Sequence, residues 1–273
     1  MTTTLRPTEP LQHAADGTRS RHYQVCVNSR PVGTLHLGTS PALGDSVARV
    51  LDLRVDERDR RRGRGTVAAL AAEEVARGWG CRVIEIAVPA DAGAALRLVE
   101  ALGYLPRNRG MHKHLPDTPP VLPEGSRGRP MTDAEWRAHF GPEHWEAYTR
   151  SWTGRGVPEA AARAKVRRDR EAAPGFGAKN VRFSVLEHQG TRVGTLYLGL
   201  REQEAFVYDV QVDPAHRGHG HGRTLMLLAE RQAIEAGHRT LALNVFAGNT
   251  PAERLYTSLG YEHTVCVLQK PLL

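Results

Sequence analysis

The sequence predicts an α/β (α+β) chain made of two tandem copies of one domain, and three observations lead there. Strand-like runs alternate with runs of helical period in both halves. The halves keep one register: Arg217 minus Arg60 is 157, and Gly260 minus Gly103 is also 157. Each half carries a glycine-rich turn between a strand and a helix, at Arg60–Gly65 and Arg217–Gly222.

In the first half, Tyr23–Val27, Val32–Leu37 and Ser46–Val55 are expected strands, the first two joined as a hairpin through Asn28–Pro31. A helix is predicted over Thr66–Arg77, with Val67, Leu70, Ala71 and Val75 as its periodic face, followed by a strand at Val83–Val88 and a helix at Ala94–Leu102. Residues 116–130 hold five prolines and read as a linker. Thr132 and Glu135 then form a capping box for a helix expected to reach Thr149, and Pro158 starts another that ends before Pro174. Strands at Val181–Glu187, Val193–Leu200 and Ala205–Val212 lead to a helix at Arg223–Ala236, a strand at Thr240–Phe246, a short helix at Pro251–Leu259 and final strands after Tyr261. In that short helix Thr250 and Glu253 are read as a second capping box, with Pro251 in its first turn. The domain reading is therefore 1–116, a linker at 117–130, and 131–273.

At the 157-residue offset Asp52, Val55, Asp56, Gly63, Gly65, Ala72, Glu73, Gly80, Arg82 and Tyr104 each meet an identical residue. Upstream, Val32-Gly-Thr-Leu and Val193-Gly-Thr-Leu match at an offset of 161. Two copies of such a long period describe a duplicated domain, not a solenoid.

Composition narrows the function classes. The net charge of +7 and pI near 9.7 favour an anionic partner, such as a phosphorylated cofactor, a nucleic acid or an acidic protein. Arg54–Arg64 holds six arginines against three acids, but no aromatics interleave to stack on bases, so a nucleic-acid partner is not favoured. Cys26, Cys81 and Cys266 are widely spaced and read as reduced, buried thiols. No long apolar run or signal peptide is present, so a cytoplasmic protein without a membrane partner is expected.

The glycines at 218, 220 and 222 let a backbone approach a ligand closely, and the helix after them offers unpaired amides at its positive end. That combination suits a phosphate or pyrophosphate. His216, His219 and His221 alternate within it, but no cysteine or carboxylate completes a metal set there, and no metal site is expected.

Arg217-x-x-Gly220-x-Gly222 after a Val-x-Val-x-Pro strand, then Asn249 and Tyr256-x-x-x-Gly260-Tyr261, resembles the GNAT superfamily of acyl-CoA N-acyltransferases. The likeness covers about 131–273 and, more weakly, 23–115. It implies a mixed twisted sheet flanked by helices in each copy, with Ala205–Val212 and Thr240–Phe246 splaying apart around pantetheine. Acetyl-CoA is the implied co-substrate and an amine the acceptor. Backbone groups of Val210, Gln211 and Val212 are expected on pantetheine. Arg217, Gly218, His219, Gly220, His221, Gly222 and Arg223 are expected on the pyrophosphate, and Asn249 on pantetheine or adenosine. Tyr256 is the implied acid for the departing thiolate. The base stays open among Glu204, Tyr208, Asp209 and a water relay, because apolar Phe206 stands near the position where many members carry a glutamate. In the first copy Asn249 becomes Ala92 and Tyr256 becomes Val99, so that copy reads as degenerate. A non-catalytic acyl-CoA-binding module and an enzyme acting on a nucleic-acid-borne amine are the alternatives. The acceptor and the oligomeric state stay open.

Overall fold

The computed structural model describes residues 3–272, which group into two compact units that are not contiguous in sequence. One unit takes the residues up to Arg107, Trp145–Ala172, and the chain from Val265 on; the other takes Asn108–His144 and Ala173–Thr264.

The first unit carries β1 (Thr3–Pro7), β2 (Gln12–His13), β3 (Arg19–Val27), β4 (Arg30–Ser40), β5 (Gly44–Val55), α1 (Arg64–Gly78), β6 (Val83–Pro89) and α2 (Gly93–Ala101). Its strand order is β1-β3-β4-β5-β6, and the far side of β6 is covered by β13 (Glu262–Pro271), from the end of the chain. In the second unit β8 (Ser126–Pro130), β9 (Val181–His188), β10 (Thr191–Leu200), β11 (Ala205–Val212) and β12 (Thr240–Phe246) lie in sequence order. The outer side of β12 is covered by β7 (Leu105–His114), which comes from the first half of the sequence. Each copy thus gives its last strand to the other's sheet. The two parallel pairings, β5 with β6 and β11 with β12, are bridged by α1 and by α6 (His221–Glu235), the crossover a parallel pair requires.

Several sequence expectations are corrected. The helix expected to reach Thr149 is two helices, α3 (Asp133–His139) and α4 (Pro142–Thr153), because Pro142 has no amide hydrogen and disfavours helix at the residue before it. A further helix, α5 (Glu159–Ala172), follows. Ser126–Pro130 at the end of the proline-rich stretch pairs with β9, and Pro130 sits at the strand's end, where losing a donor costs little. On α1 the buried face is Ala68, Ala69, Ala72, Glu73 and Ala76, whereas Val67 and Leu70 are exposed. Small side chains let this helix lie close to the sheet. The three thiols are free, with Cys26 and Cys81 buried and Cys266 half-buried. No described helix is long and apolar enough to cross a membrane.

Each unit has its own core. Leu35, Leu37, Ile84 and Leu268 centre the first; Leu196, Leu198, Leu225, Met226 and Leu241 centre the second. Set into each is a buried charge that follows the repeat. Lys113 on β7 reaches Glu230 of α6 at 2.8 Å, beside the Tyr261 ring. Lys270 on β13 reaches Glu73 of α1 at 2.8 and 3.0 Å, beside the Tyr104 ring. All three positions obey the 157 offset. Burial, and next the adjacent carboxylate, push both tyrosines well above the ordinary phenol range, so both stay neutral.

Removing one member of such a pair strands a buried charge. Lys113→Met should destabilise the protein by about 3 kcal/mol in urea unfolding, and Lys270→Met by less, because Arg77 stays 3.9 Å from Glu73. Lys113→Met with Glu230→Leu should recover most of that loss, because no unpaired ion is left.

Candidate functional site

The site begins where a strand pair comes apart. β11 and β12 are hydrogen-bonded only over Ala205–Val207 against Leu241–Leu243, and beyond that they diverge. On its other edge β11 follows β10 to Val212, with a register shift: Leu198 faces Val207, but Tyr197 faces Asp209. Tyr208 is therefore an extra residue, a β-bulge. Because side chains alternate faces, this one residue turns Asp209 to the same face as Phe206 and Tyr197, away from the core made by Leu196 and Leu198. The first copy has the same bulge at Leu51, between Val50 and Asp52.

After β11 the chain makes a short turn at Pro214–His216 and enters the glycine loop. Gly218 and Gly220 have φ of +81° and +83°, in the left-handed region where glycine is unstrained, and Gly220 is the N-cap of α6. No side chain caps that helix, so its first amides, from His221, Gly222 and Arg223, are left for a ligand or solvent. Gly222 has another cause: a Cβ there would meet Leu255 Cδ2 at 3.2 Å, so the missing side chain lets α7 (Thr250–Ser258) pack close. Exposed Arg217 donates from Nε to the Val212 carbonyl at 3.4 Å, and exposed Arg223 donates to Ser258 Oγ at 2.6 Å. In this state both guanidiniums brace the loop. His219 is exposed, but His221 is buried, its ring 5.1 Å from that of His188. Burial, with the nearby histidines, lowers the His221 pKa and favours its neutral form.

Asn249, not Thr250, is the N-cap of α7, its side-chain oxygen accepting from the Ala252 amide at 3.4 Å, so the capping box expected at Thr250 is absent. Tyr256 points inward from this helix and is 6% exposed. Burial first, and then the charge of Asp209, raise its pKa to about 12. Its hydroxyl is therefore protonated at neutral pH and close enough to Asp209 to feel it. Val210 and Val212 are half-buried and Gln211 is exposed.

Opposite lies α3. Thr132 and Glu135 form the expected capping box, with Glu135 N–H donating to Thr132 Oγ1 at 3.2 Å and Thr132 N–H to Glu135 Oε2 at 2.8 Å. Arg129 of β8 clamps Glu135 at 2.7 and 2.8 Å and reaches Glu187 of β9 at 2.7 Å. Trp136 and Phe140 pack with Phe183 and Tyr197 on the sheet. The anchored helix ends at His139, whose Nε2 lies 3.2 Å from Asp209 Oδ2. Sequence reasoning missed this. Donor atoms of His139, His144 and Asp209 lie within 4.8 Å of one another, but no spacing rule joins those three positions. Two imidazoles and one carboxylate are one protein ligand short of a closed zinc site.

The three candidate bases now separate. Glu204 faces Arg201 at 3.6 Å, and the Tyr208 hydroxyl accepts from Arg201 Nε at 3.2 Å. Asp209 alone meets the histidines.

Glu135 ties α3 to the sheet, and its pKa is lowered to about 2, first by Arg129 and then by the Thr132 amide. A depressed carboxylate stabilises above its unfolded value of 4.5, and that contribution fades as pH falls towards 2. Glu135→Gln should cost about 1–2 kcal/mol at pH 7, after allowance for solvent screening, and almost nothing near pH 2, read by thermal melting across that range.

The acetyltransferase (GNAT) family model matches residues 2–104 and again 139–261. The chain is 31% identical over 255 residues to a mycothiol acetyltransferase of Mycolicibacterium smegmatis, covering 89% of this chain and 81% of that one. It is 30% identical over 270 residues to a mycothiol acetyltransferase of Amycolatopsis mediterranei, covering 94% and 85%. A solved GCN5-related N-acetyltransferase from Sphaerobacter thermophilus superposes with a TM-score of 0.53 at 21% identity, over 92% of this chain and 80% of that one, a likeness of fold. With the family model matched twice and relatives alike over most of their length, the chain belongs to the acetyltransferase (GNAT) family, as a tandem acetyl-CoA-dependent N-acetyltransferase.

Proposed function

We propose that the second copy moves an acetyl group from acetyl-CoA to a primary amine by direct attack within a ternary complex. The observation that carries this reading is Tyr256: buried, protonated, and electrostatically coupled to Asp209 beside the point where β11 and β12 part. Pantetheine would lie in the opening beyond Val207, against the backbone of Val210, Gln211 and Val212. The first amides of α6 and the loop Arg217–Gly222 would hold the pyrophosphate, and exposed Arg217, His219 and Arg223 would exchange their present partners, Val212, His216 and Ser258, for it. Asn249, already fixed as a helix cap, would present its amide group beside the cofactor.

The amine attacks the thioester carbonyl, an oxyanion forms and a thiolate departs. An amide near Val210 can stabilise the oxyanion. A phenol near 12 is a weaker acid than a free thiol near 8.5, by about 5 kcal/mol. Tyr256 therefore acts first as a hydrogen-bond donor to the sulfur, and full transfer is favourable only as the attacking nitrogen gives up its own proton. The first copy has Val99 where Tyr256 stands and the uncapped Ala92 where Asn249 stands, which supports reading it as a degenerate partner domain. The names of the relatives make an amine-bearing mycothiol precursor the first acceptor to try.

An amine panel with acetyl-CoA, followed by thiol release, tests the reading on wild type and Tyr256→Phe. The variant should lose about 10²–10³-fold in kcat while acetyl-CoA affinity stays within about twofold. Unchanged kcat removes Tyr256 from the reaction.

A further inference from the structure

An acceptor amine arrives as an ammonium and must shed a proton before it can attack. We propose that Asp209 takes this proton and passes it to Nε2 of His139, which stores it during acyl transfer; the proposal rests on the acetyl-transfer reading above.

The two groups divide the work by exposure. The Asp209 side chain is 36% exposed, and the bulge turns it to the face of Phe206 and Tyr197, on the side where α3 packs. The His139 side chain is only 6% exposed and stands behind it. Its Nε2 is buried without a hydrogen-bond partner: Asp209 Oδ2 lies 3.2 Å away but out of line for a hydrogen bond in the resting state. An unpartnered buried nitrogen is costly unless something uses it. In the Nδ1–H tautomer it is a vacant proton acceptor, one rotation from a carboxylate. A free carboxylate titrates near 3.9 and a free imidazole near 6.5, so the imidazole holds a proton roughly 400-fold more strongly. A carboxylate by itself is a poor sink for an ammonium proton.

Four titratable groups face this pair or lie beside it. His144, at the start of α4, has its ring 5.1 Å from that of His139, and burial lowers its pKa, which favours its neutral form. Tyr256 on α7 is coupled to Asp209 and stays protonated. Tyr197 on β10 is pushed up to about 12, mainly by burial, and is also neutral. Tyr208, the bulge residue, stacks on Tyr197 and is held by Arg201.

The step balances. The ammonium N–H bond breaks and leaves its electron pair on nitrogen, while an O–H bond forms on Asp209. That bond breaks in turn as Nε2–H forms, so the positive charge moves from substrate to imidazolium and Asp209 is again a carboxylate. Asp209 thus touches the substrate, and His139 acts through it.

The test uses the full chain with acetyl-CoA and two probes, ethanolamine, cationic at neutral pH, and methoxyamine, already neutral. Asp209→Asn and His139→Gln should each lower kcat for ethanolamine by about 10²-fold or more, yet leave methoxyamine within about threefold. The acid limb of the wild-type ethanolamine pH profile should move up in both variants, to the titration of the amine itself. Equal losses on both probes, or no loss on ethanolamine, would overturn the proposal. If wild type turns over neither probe, the acetyl-transfer reading fails for such amines, and imidazole NMR still decides the pairing. There the His139 titration midpoint should move down in Asp209→Asn, and an unmoved midpoint refutes the pair. Stoichiometric zinc that survives dialysis in wild type and is lost in His139→Gln also refutes it, and gives the cluster to a metal.

Discussion

Everything at the site depends on β11 and β12 staying paired for only three residues. A parallel pair that ran the full length of both strands would close the sheet and leave no backbone groups free. The extra residue Tyr208 bends β11 away, and two consequences follow at once. The backbone from Asp209 to Val212 loses β12 as a partner, and the side-chain alternation slips by one. Asp209 thereby leaves the face of Leu196 and Leu198 for that of Tyr197, where α3 brings His139. Without the slip, Val210 would face α3 and the carboxylate would face the core, where a lone ion is prohibitively costly.

The same geometry is present in the first copy, where Leu51 is the extra residue and β5 meets β6 over Val47–Val50 only. Its glycine loop keeps its left-handed turns, with Gly63 at +73° and Arg61 at +60° in place of Gly218. A non-glycine residue there costs on the order of 1 kcal/mol. The backbone recipe has outlasted the side chains that would use it: Val99 cannot donate a proton, and Ala92 cannot cap a helix.

How much of this was legible follows from what each feature depends on. The glycine loop, the capping box at Thr132 and the strands β3 to β6 are local, and local chemistry specifies them. The duplication was legible because identities such as Glu73 with Glu230 and Tyr104 with Tyr261 held one register. β7 was missed because Leu105–His114 is rich in arginine, histidine and lysine and shows no clear apolar alternation. Its place is fixed by partners more than a hundred residues away, through Lys113 to Glu230 and Arg109 to Glu253. His139 was passed over for a similar reason: its meaning comes from Asp209, seventy positions on, and only the bulge brings them together.

The exchange of β7 and β13 needs a cause of its own, because the buried lysines cannot supply it. Lys113 and Lys270 are equivalent by the repeat, so each would find a Glu and a Tyr in either sheet. The adjacent positions are not equivalent. Arg109 on β7 pairs with Glu253 of α7 at 3.1 Å. Its repeat counterpart on β13 is Cys266, and the counterpart of Glu253 is Leu96; both of these pack against the apolar core of the first unit. With the strands returned to their own copies, a guanidinium would meet Leu96, and Cys266 would leave Glu253 without its arginine. Matching apolar with apolar and charge with charge therefore favours the exchanged pairing in both sheets, by penalising the alternative rather than by strengthening either contact.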